Sequence, residues 1–387
     1  MLTKKLYYDD AYINNFDATV LSCEEVKNGY AIILDKTAFF PEGGGQKSDE
    51  GFINDIAVND VQEVDGNIYH YTSKNIEVGS KVSCSINWEK RFLRMQNHSG
   101  EHIVSGIVHS MFGYDNAGFH MEEGSVTVDF NGELTREQLD LVENKANEAV
   151  YANYKINCFF PSVNELDGYD YRSKLDLTEN VRLVEIENTD LCACCAPHVR
   201  STGEIGVIKI LDFMRHRGGV RIVMKSGFDA LCDYREKYRN VYEISNLLSA
   251  KQENVADYVK RLLDETDSVK REFYQSRMSV AQRDKEKLKY HSNISYFITD
   301  GYDADMMREI ANYGAQKSEL SIVFSGNDKS GYSYIACSLD YDMKMVAKQI
   351  NSNLNGRGGG RDTMIQGKVN SLKDTIVNFI ETIDFKG

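Results

Sequence analysis

Along the first 90 residues apolar and polar positions alternate in short runs, such as YAIILD and KVSCSINW, with Gly, Asn and Asp between them. Period-two alternation marks strands that bury one face, and several at close spacing predict a small β-barrel or sandwich without a helix of any length. From Arg91 the period changes. Phe92, Ile103, Ile107 and Met111 recur at helical spacing, and Val104 with Val108 widens the apolar stripe. SVTVDF then reads as a strand, REQLDLVENKANEAVYAN as an amphipathic helix, and VRLVEI and IGVIKIL as strands, which makes an α/β layer. Residues 228–290 hold almost no Gly or Pro and many Glu, Lys, Arg and Gln. There Leu248, Val255, Val259, Leu262, Val269, Phe273 and Val280 fall on alternating three- and four-residue steps, with Gln252, Thr266 and Ser276 in the same seam. That pattern predicts a long, coiled-coil-like helical segment or a protruding helical hairpin. After residue 291 strands at ISYFIT, LSIVFS and YSYIAC alternate with helices at DADMMREIANYGA, DMKMVAKQINSNL and SLKDTIVNFIETI. The expected fold class is α+β: a small N-terminal barrel (1–90), an α/β domain (91–227), a long helical segment (228–290) and a C-terminal α/β domain (291–387).

At 387 residues, 42% hydrophobic and 27% charged, the chain can bury two or three cores. MLTKKLYYDDAY has no apolar stretch behind its lysines, and no window approaches the run of about twenty apolar residues that a membrane span needs. A cytoplasmic protein without a membrane partner is therefore expected. Eight cysteines are too sparse for a disulfide scaffold, and three of them crowd into LCACCAPH, as reduced thiols that bind metal do. A net charge of −14 argues against coating nucleic acid by bulk electrostatics, so local basic residues must decide. They collect in MRHRGGVRIVMK (Arg215, Arg217, Arg221, Lys225) and in RDKEKLKYH (Arg283, Lys285, Lys287, Lys289), the second equally readable as a solvated surface.

In RMQNHSGEHIVSG, His98 and His102 stand four residues apart, so on a helix they stack one turn above another and offer two nitrogens to one ion. The pair alone is weak. CACCAPH adds Cys194 and His198, again four apart, and the sum is the four-coordinate N/S set that zinc favours. Cys192 and Cys195 are rivals for the sulfur position, or small buried hydrophobes; Cys194 is preferred because its distance to His198 mirrors the first pair. His109 lies about 10 Å along the helix from His102, too far to share the ion. HSGEH is also an H-x-x-E-H string, in which Glu101 would be the base of a metallopeptidase, but that reading leaves Cys194 and His198 unexplained.

Two glycine runs stand out. In FFPEGGGQKSDEG, Gly43, Gly44 and Gly45 let the backbone approach a ligand, and Gln46 both donates and accepts; a tight barrel turn is the plain alternative. In GRGGGR, Arg357 and Arg361 flank three glycines, which suits a phosphate or a nucleic acid end, with a flexible loop as the competitor. It is no dinucleotide fingerprint, because it follows a helix.

Together FFPEGGGQKSDEG, QNHSGEHI, CCAPHVRSTGEIG, RGGVRI and GRGGGRDTMIQGKV resemble, in order and spacing, one family: the free-standing alanyl-tRNA editing proteins, the AlaX group in its long form. These are similar to the editing and C-terminal parts of alanyl-tRNA synthetase. The resemblance assigns Zn2+ to His98, His102, Cys194 and His198, and makes the last domain a DHH-associated one. Because the chain begins at the barrel, without room for aminoacylation, it is expected to edit in trans and without ATP. One departure stands out: the synthetase more often writes the second pair Cys-Gly-Gly-Thr-His, whereas Cys195, Ala196 and Pro197 intervene here.

The resemblance implies hydrolysis of the ester that joins serine, or glycine, to the terminal ribose of alanine tRNA. An alanine site cannot exclude smaller glycine and rejects an added hydroxyl poorly, so a second sieve is needed. Thr37, Gln46 and His120 are the candidates to meet the serine hydroxyl, and Arg215, Arg217 and Arg221 to meet acceptor-stem phosphates. The catalytic base is unassigned, since Glu101 sits beside His102 in sequence and is expected to point elsewhere. The helical segment and last domain are expected to grip the tRNA elbow, to form a homodimer, or both. A zinc-stabilised tRNA-binding module without activity is the alternative from another class.

Overall fold

The computed structural model describes residues 2–122, 124–173 and 180–383. It divides into two units, Met1–Glu243 and Ile244–Gly387.

In the first unit β1 (Lys4–Lys5) and the four-residue α1 (Leu6–Asp9) precede β2 (Asn15–Val26), β3 (Gly29–Leu34), β4 (Lys36–Thr37), β5 (Gly51–Ile53), β6 (Ile56–Val64), β7 (Asn67–Thr72) and β8 (Lys81–Ile86). Six of them close into a barrel in the order β2-β3-β7-β6-β5-β8. Alternation does the work: Val20, Ile32, Leu34, Ile53, Val58, Val61, Ile68 and Val82 all point inward and are buried. Two inward positions on β7 are polar, Thr72 and His70. His70 is fully buried, its Nδ1 3.0 Å from the Ile32 carbonyl and its Nε2 2.8 Å from the Thr37 hydroxyl.

Helix α2 (Trp88–Phe112) starts three residues before the predicted Arg91, because the Asn87 side chain accepts from the Lys90 N–H and caps it there. Gly113 ends it at φ 69°. From Met95 to Val108 nearly every residue of α2 is buried, polar ones included, so the helix is a central rod and not a surface amphipath. After it come β9 (Asn116–Glu122), β10 (Ser125–Phe130), α3 (Arg136–Ala152), β11 (Ile156–Phe159), α4 (Val163–Leu166), β12 (Leu183–Ile186), β13 (Asp190–Ala193), β14 (Ile208–His216), β15 (Gly219–Ser226) and α5 (Gly227–Leu248). A four-stranded antiparallel sheet, β14-β15-β10-β9, and a three-stranded one, β11-β12-β13, share a core with α2 and α3 built on Ile103, Val104, Val108, Val128, Leu139 and Ile222.

The second unit holds α6 (Val255–Asp284), β16 (Lys289–His291), β17 (Ile294–Thr299), α7 (Ala304–Ala315), β18 (Leu320–Asn327), β19 (Gly331–Cys337), α8 (Met343–Asn353), β20 (Gly356–Arg361), β21 (Met364–Val369) and α9 (Lys373–Thr382). Its sheet runs β16-β17-β18-β19-β21-β20. Successive residues of β18 face opposite ways: Val323 packs with Met307 and Ile310 of α7, whereas Ile322 and Phe324 pack with Val346 and Ile350 of α8 and Ile376 of α9. Two expectations change here. GRGGGR is not a loop but the edge strand β20, which lies against β21 with Gly358 opposite Gly367, each too close to the other for a Cβ. The long helical segment breaks at residues 249–254, where Ser249 takes φ 49°, and the seam residues Leu262, Val269 and Phe273 of α6 are exposed. No described helix is long and apolar enough to cross a membrane.

Candidate metal centre and the cavity beside it

Helix α2 presents His98 and His102 one turn apart, and the chain leaving β13 returns Cys194 and His198 to the same point. Cys194 Sγ lies 3.6 Å from His98 Nε2 and 3.5 Å from His198 Nε2, and the donor atoms of the four residues all lie within 4.8 Å of one another. A tetrahedral zinc ion with Zn–S of about 2.3 Å and Zn–N of about 2.0–2.1 Å would set S···N edges of about 3.5 Å. The spacing fits.

The outward nitrogens explain why the inner ones converge. His98 Nδ1 meets Gln46 Oε1 at 3.0 Å, His198 Nδ1 meets Ser99 Oγ at 3.0 Å, and His102 Nδ1 faces Asp190 Oδ2 at 3.4 Å in a poorer alignment. With each Nδ1–H turned to an oxygen, each Nε2 lone pair is left for a cation, the usual support of a metal-binding histidine. Burial, and then the neighbouring His102 and His98, hold His198 well below the usual histidine range, so it is neutral, as a ligand must be. Burial and Cys195 push the Cys194 thiol well up, which a coordinated divalent cation would reverse. Burial also raises the Asp190 carboxyl, yet bonds from His102 and from Arg172 outweigh it and hold it low. Arg172 makes the pair bidentate, Nε and Nη2 each 2.7 Å from a carboxylate oxygen.

Close backbone approach makes this assembly possible. A Cβ on Gly106 would lie 2.7 Å from the Thr189 carbonyl, so only glycine on α2 lets the β12–β13 turn bring Asp190 to His102. Gly44 and Gly45 take φ 61° and 80°, and Gly43 and Gln46 exchange two 3.0 Å backbone bonds around them. The three glycines thus form a tight turn, which carries Gln46 to His98 and leaves Gly44 on the cavity wall.

That cavity, of about 740 Å3, opens beside the cluster. His98, His102, Cys194, Tyr8, Phe119 and Glu101 help to line it. Of the serine-contact candidates, Gln46 does not itself line the cavity but touches His98 at its wall, and among the described residues its buried Nε2 has no partner. Thr37 does not line the cavity; it sits in the barrel, its hydroxyl taken by His70 and by the Phe39 N–H. His120 is on the exposed face of β9, because alternation turns its neighbour Phe119 inward instead, onto His98 at 4.8 Å between ring centroids. Arg221 is bound to Asp129 at 2.6 and 2.7 Å and braces β15 on β10, so it is no open phosphate contact. Arg215 and Arg217 are exposed, Arg215 3.1 Å from Glu133. Arg357 and Arg361 are exposed on β20, whose glycines line a shallow groove of about 380 Å3 with Lys344 and Lys348 of α8.

The geometry selects Cys194 over its rivals: Cys195 is exposed, and Cys192 instead approaches His102 and Asp190. It also leaves the H-x-x-E-H reading without its third ligand, since Cys194 and His198 stand where a distant Glu would. His109 is exposed and paired with Asp115 at 3.0 Å. Sequence reasoning missed Ser99, Asp190 and Arg172, and expected Glu101 to point away, whereas it lines the cavity. Ser99 carried a signal, standing next to one ligand and three before another; Asp190 carried none.

Family comparison agrees with the layout. The model for tRNA synthetases class II (A) matches residues 3–90, that for the threonyl and alanyl tRNA synthetase second additional domain 181–224, and that for the DHHA1 domain 291–384. An alanyl-tRNA editing protein AlaX-L of Pyrococcus horikoshii is 26% identical over 97% of this chain and 96% of its own length. An alanyl-tRNA editing protein Aarsd1 of Danio rerio is 26% identical over 94% of this chain and 93% of its own. An alanine–tRNA ligase of Methanococcus maripaludis is 27% identical over 98% of this chain, which spans only 43% of that enzyme. Matched end to end by editing proteins and by less than half of a ligase, the chain is a relative of the free-standing alanyl-tRNA editing proteins.

Proposed function

We propose that this chain hydrolyses the ester of mischarged alanine tRNA in trans, clearing serine and also glycine. The observation that carries the reading is the convergence of His98, His102, Cys194 and His198 at the wall of a cavity large enough for an aminoacyl nucleoside. The ion proposed there is Zn2+, which when bound would supply positive charge beside the ester carbonyl. Four protein donors fill a tetrahedron, so the ion is read as a positioning group.

The chain's own groups divide the remaining work. Gln46 holds His98 through Oε1 and keeps a buried Nε2 without an acceptor among the described residues; the seryl hydroxyl is proposed to meet it. An alanyl ester would leave that donor unpaired, which is how a hydrogen-bonding site discriminates strongly. Thr37 and His120 drop out of this role. Arg215 and Arg217, with Arg357 and Arg361, are proposed to meet tRNA phosphates, which position without reading sequence. The division into barrel (1–90), editing domain (91–227), helical segment (228–290) and DHH-associated domain (291–387) is kept as the functional one, with the exposed seam of α6 proposed to pair two copies. Such an enzyme would act in the cytoplasm, where tRNA is charged.

Zinc-loaded protein is expected to release serine from Ser-tRNA carrying the alanine acceptor and to spare Ala-tRNA. Equal rates before and after removal of the metal, or tight binding without turnover, would overturn the proposal.

A further inference from the structure

Glu101 is 4% exposed and lines the cavity. Its Oε1 accepts from the Asn116 amide at 2.5 Å and from the Ser105 hydroxyl, two neutral donors that fix the side chain in place. Asn116 is itself held, its Oδ1 accepting from the Gly118 N–H at 3.0 Å. Among the described residues no Lys, Arg or His side chain forms an ion pair with Glu101; the nearest influence is Arg172, which feels its charge from a distance while its guanidinium is held by Asp190. The nearby acids differ: Asp190 is matched by Arg172, and Asp115 by His109. A buried carboxylate is costly unless a cation meets it, and this one has its second oxygen free of any hydrogen bond among the described residues. A carboxylate so anchored at a cavity wall, with no ion pair of its own among the described residues, is built for a cation that arrives with the ligand.

We propose that Glu101 binds the α-ammonium group of the aminoacyl ester. This deepens the functional reading above and rests on it. Seryl, glycyl and alanyl esters all carry an ammonium on the carbon next to the scissile carbonyl, so the contact recognises aminoacyl esters as a class and does not sort them by side chain. It also excludes tRNA whose amino group is acylated, a peptidyl ester included. Gripping the ammonium on one side fixes where the carbonyl lies relative to the His/Cys cluster, which lines the same cavity.

Two non-hydrolysable probes test it: 3′-amino-3′-deoxyadenosine acylated with serine, and the same compound acylated with glyceric acid, in which a hydroxyl replaces the ammonium without added bulk. With zinc-loaded protein at pH 7, below the usual α-amino range, calorimetry is expected to show the seryl compound binding at least about 30-fold more tightly. Glu101→Gln keeps the shape and removes the charge. It should bring the two affinities within about threefold by weakening the seryl compound alone, and Glu101→Asp should recover part of the preference. Zinc content and thermal midpoint of each variant separate this from misfolding, and the wild-type ratio needs no variant. Equal affinities for wild type overturn the ammonium contact while the editing function stands. So does a Glu101→Gln variant that keeps the ratio but loses turnover, which would make Glu101 a base. If neither probe binds, the editing reading falls and takes this one with it.

Discussion

Helix α2 carries two buried polar constellations, and they are built on opposite principles. At its first turn Arg91, fully buried, is completely matched: Nε lies 3.0 Å from both oxygens of Asp49, Nη1 donates to the Ala11 carbonyl at 2.9 Å, and Nη2 donates to the Ala38 carbonyl at 2.6 Å and to Asp49. Asp49 also accepts from the Phe40 N–H at 2.7 Å. Two turns further on, the outer nitrogens of His98 and His102 turn to Gln46 and Asp190, while the inner ones converge with Cys194 and His198. The first network is closed and ties barrel to helix. The second is open and asks for a ligand. A buried polar group whose every atom is satisfied by the fold serves the fold, whereas one anchored on the outside and converging with other metal-type donors on the inside serves chemistry.

Breaking the closed network should give the largest effect. Asp49→Ala strands a buried guanidinium and is expected to lower unfolding stability by about 3–5 kcal/mol, read by urea titration, with zinc per folded chain unchanged. His70 offers a second closed case with a pH readout. Burial, against a helping bond from Ile32, holds it down at about 4 from the usual 6.5. Between those values the unfolded chain binds a proton that the folded chain refuses, so the stabilisation is full above pH 6.5 and fades as pH falls towards 4. The loss is about 3 kcal/mol, and His70→Gln should remove that part of the acid sensitivity in urea titrations at pH 7.5 and 5.

The open network should answer in metal and turnover instead. Cys194→Ala is expected to lose stoichiometric zinc and at least about 100-fold of serine release; a variant that keeps both would show the cluster to be incidental. Ser99→Ala leaves His198 Nδ1 without its partner and should weaken zinc by about 10-fold, measured by competition with a chelator, while activity at saturating metal is largely kept. The smallest effect separates the arginines. Arg215→Ala should lower the salt slope of tRNA binding by about one, whereas Arg221→Met should leave the slope alone and lower the thermal midpoint, because Arg221 is spent on Asp129.

Much of the open network was legible because its spacing is local. His98 with His102 and Cys194 with His198 are each four residues apart, and helix and turn geometry convert that spacing into convergence. Which residue supports which histidine was not legible. Gln46, Ser99 and Asp190 reach the histidines from 52, 99 and 88 residues away along the chain. Choosing between His120 and Phe119 required the register of β9, since a shift of one residue exchanges the two faces. GRGGGR looked like a loop because glycine has no side chain to report a pattern, and only its pairing with β21 makes it a strand.

Sequence alone determined the alternation of the N-terminal strands, the helical period of α2 and the identity of four donors, because these are properties of neighbours along the chain. Tertiary structure decided which nitrogen of each histidine faces inward, which thiol meets the histidines, which arginine is already spoken for and which carboxylate lacks an ion pair among the described residues. Those outcomes depend on what comes from elsewhere in the chain to fill each remaining hydrogen bond, and packing, not spacing, settles that.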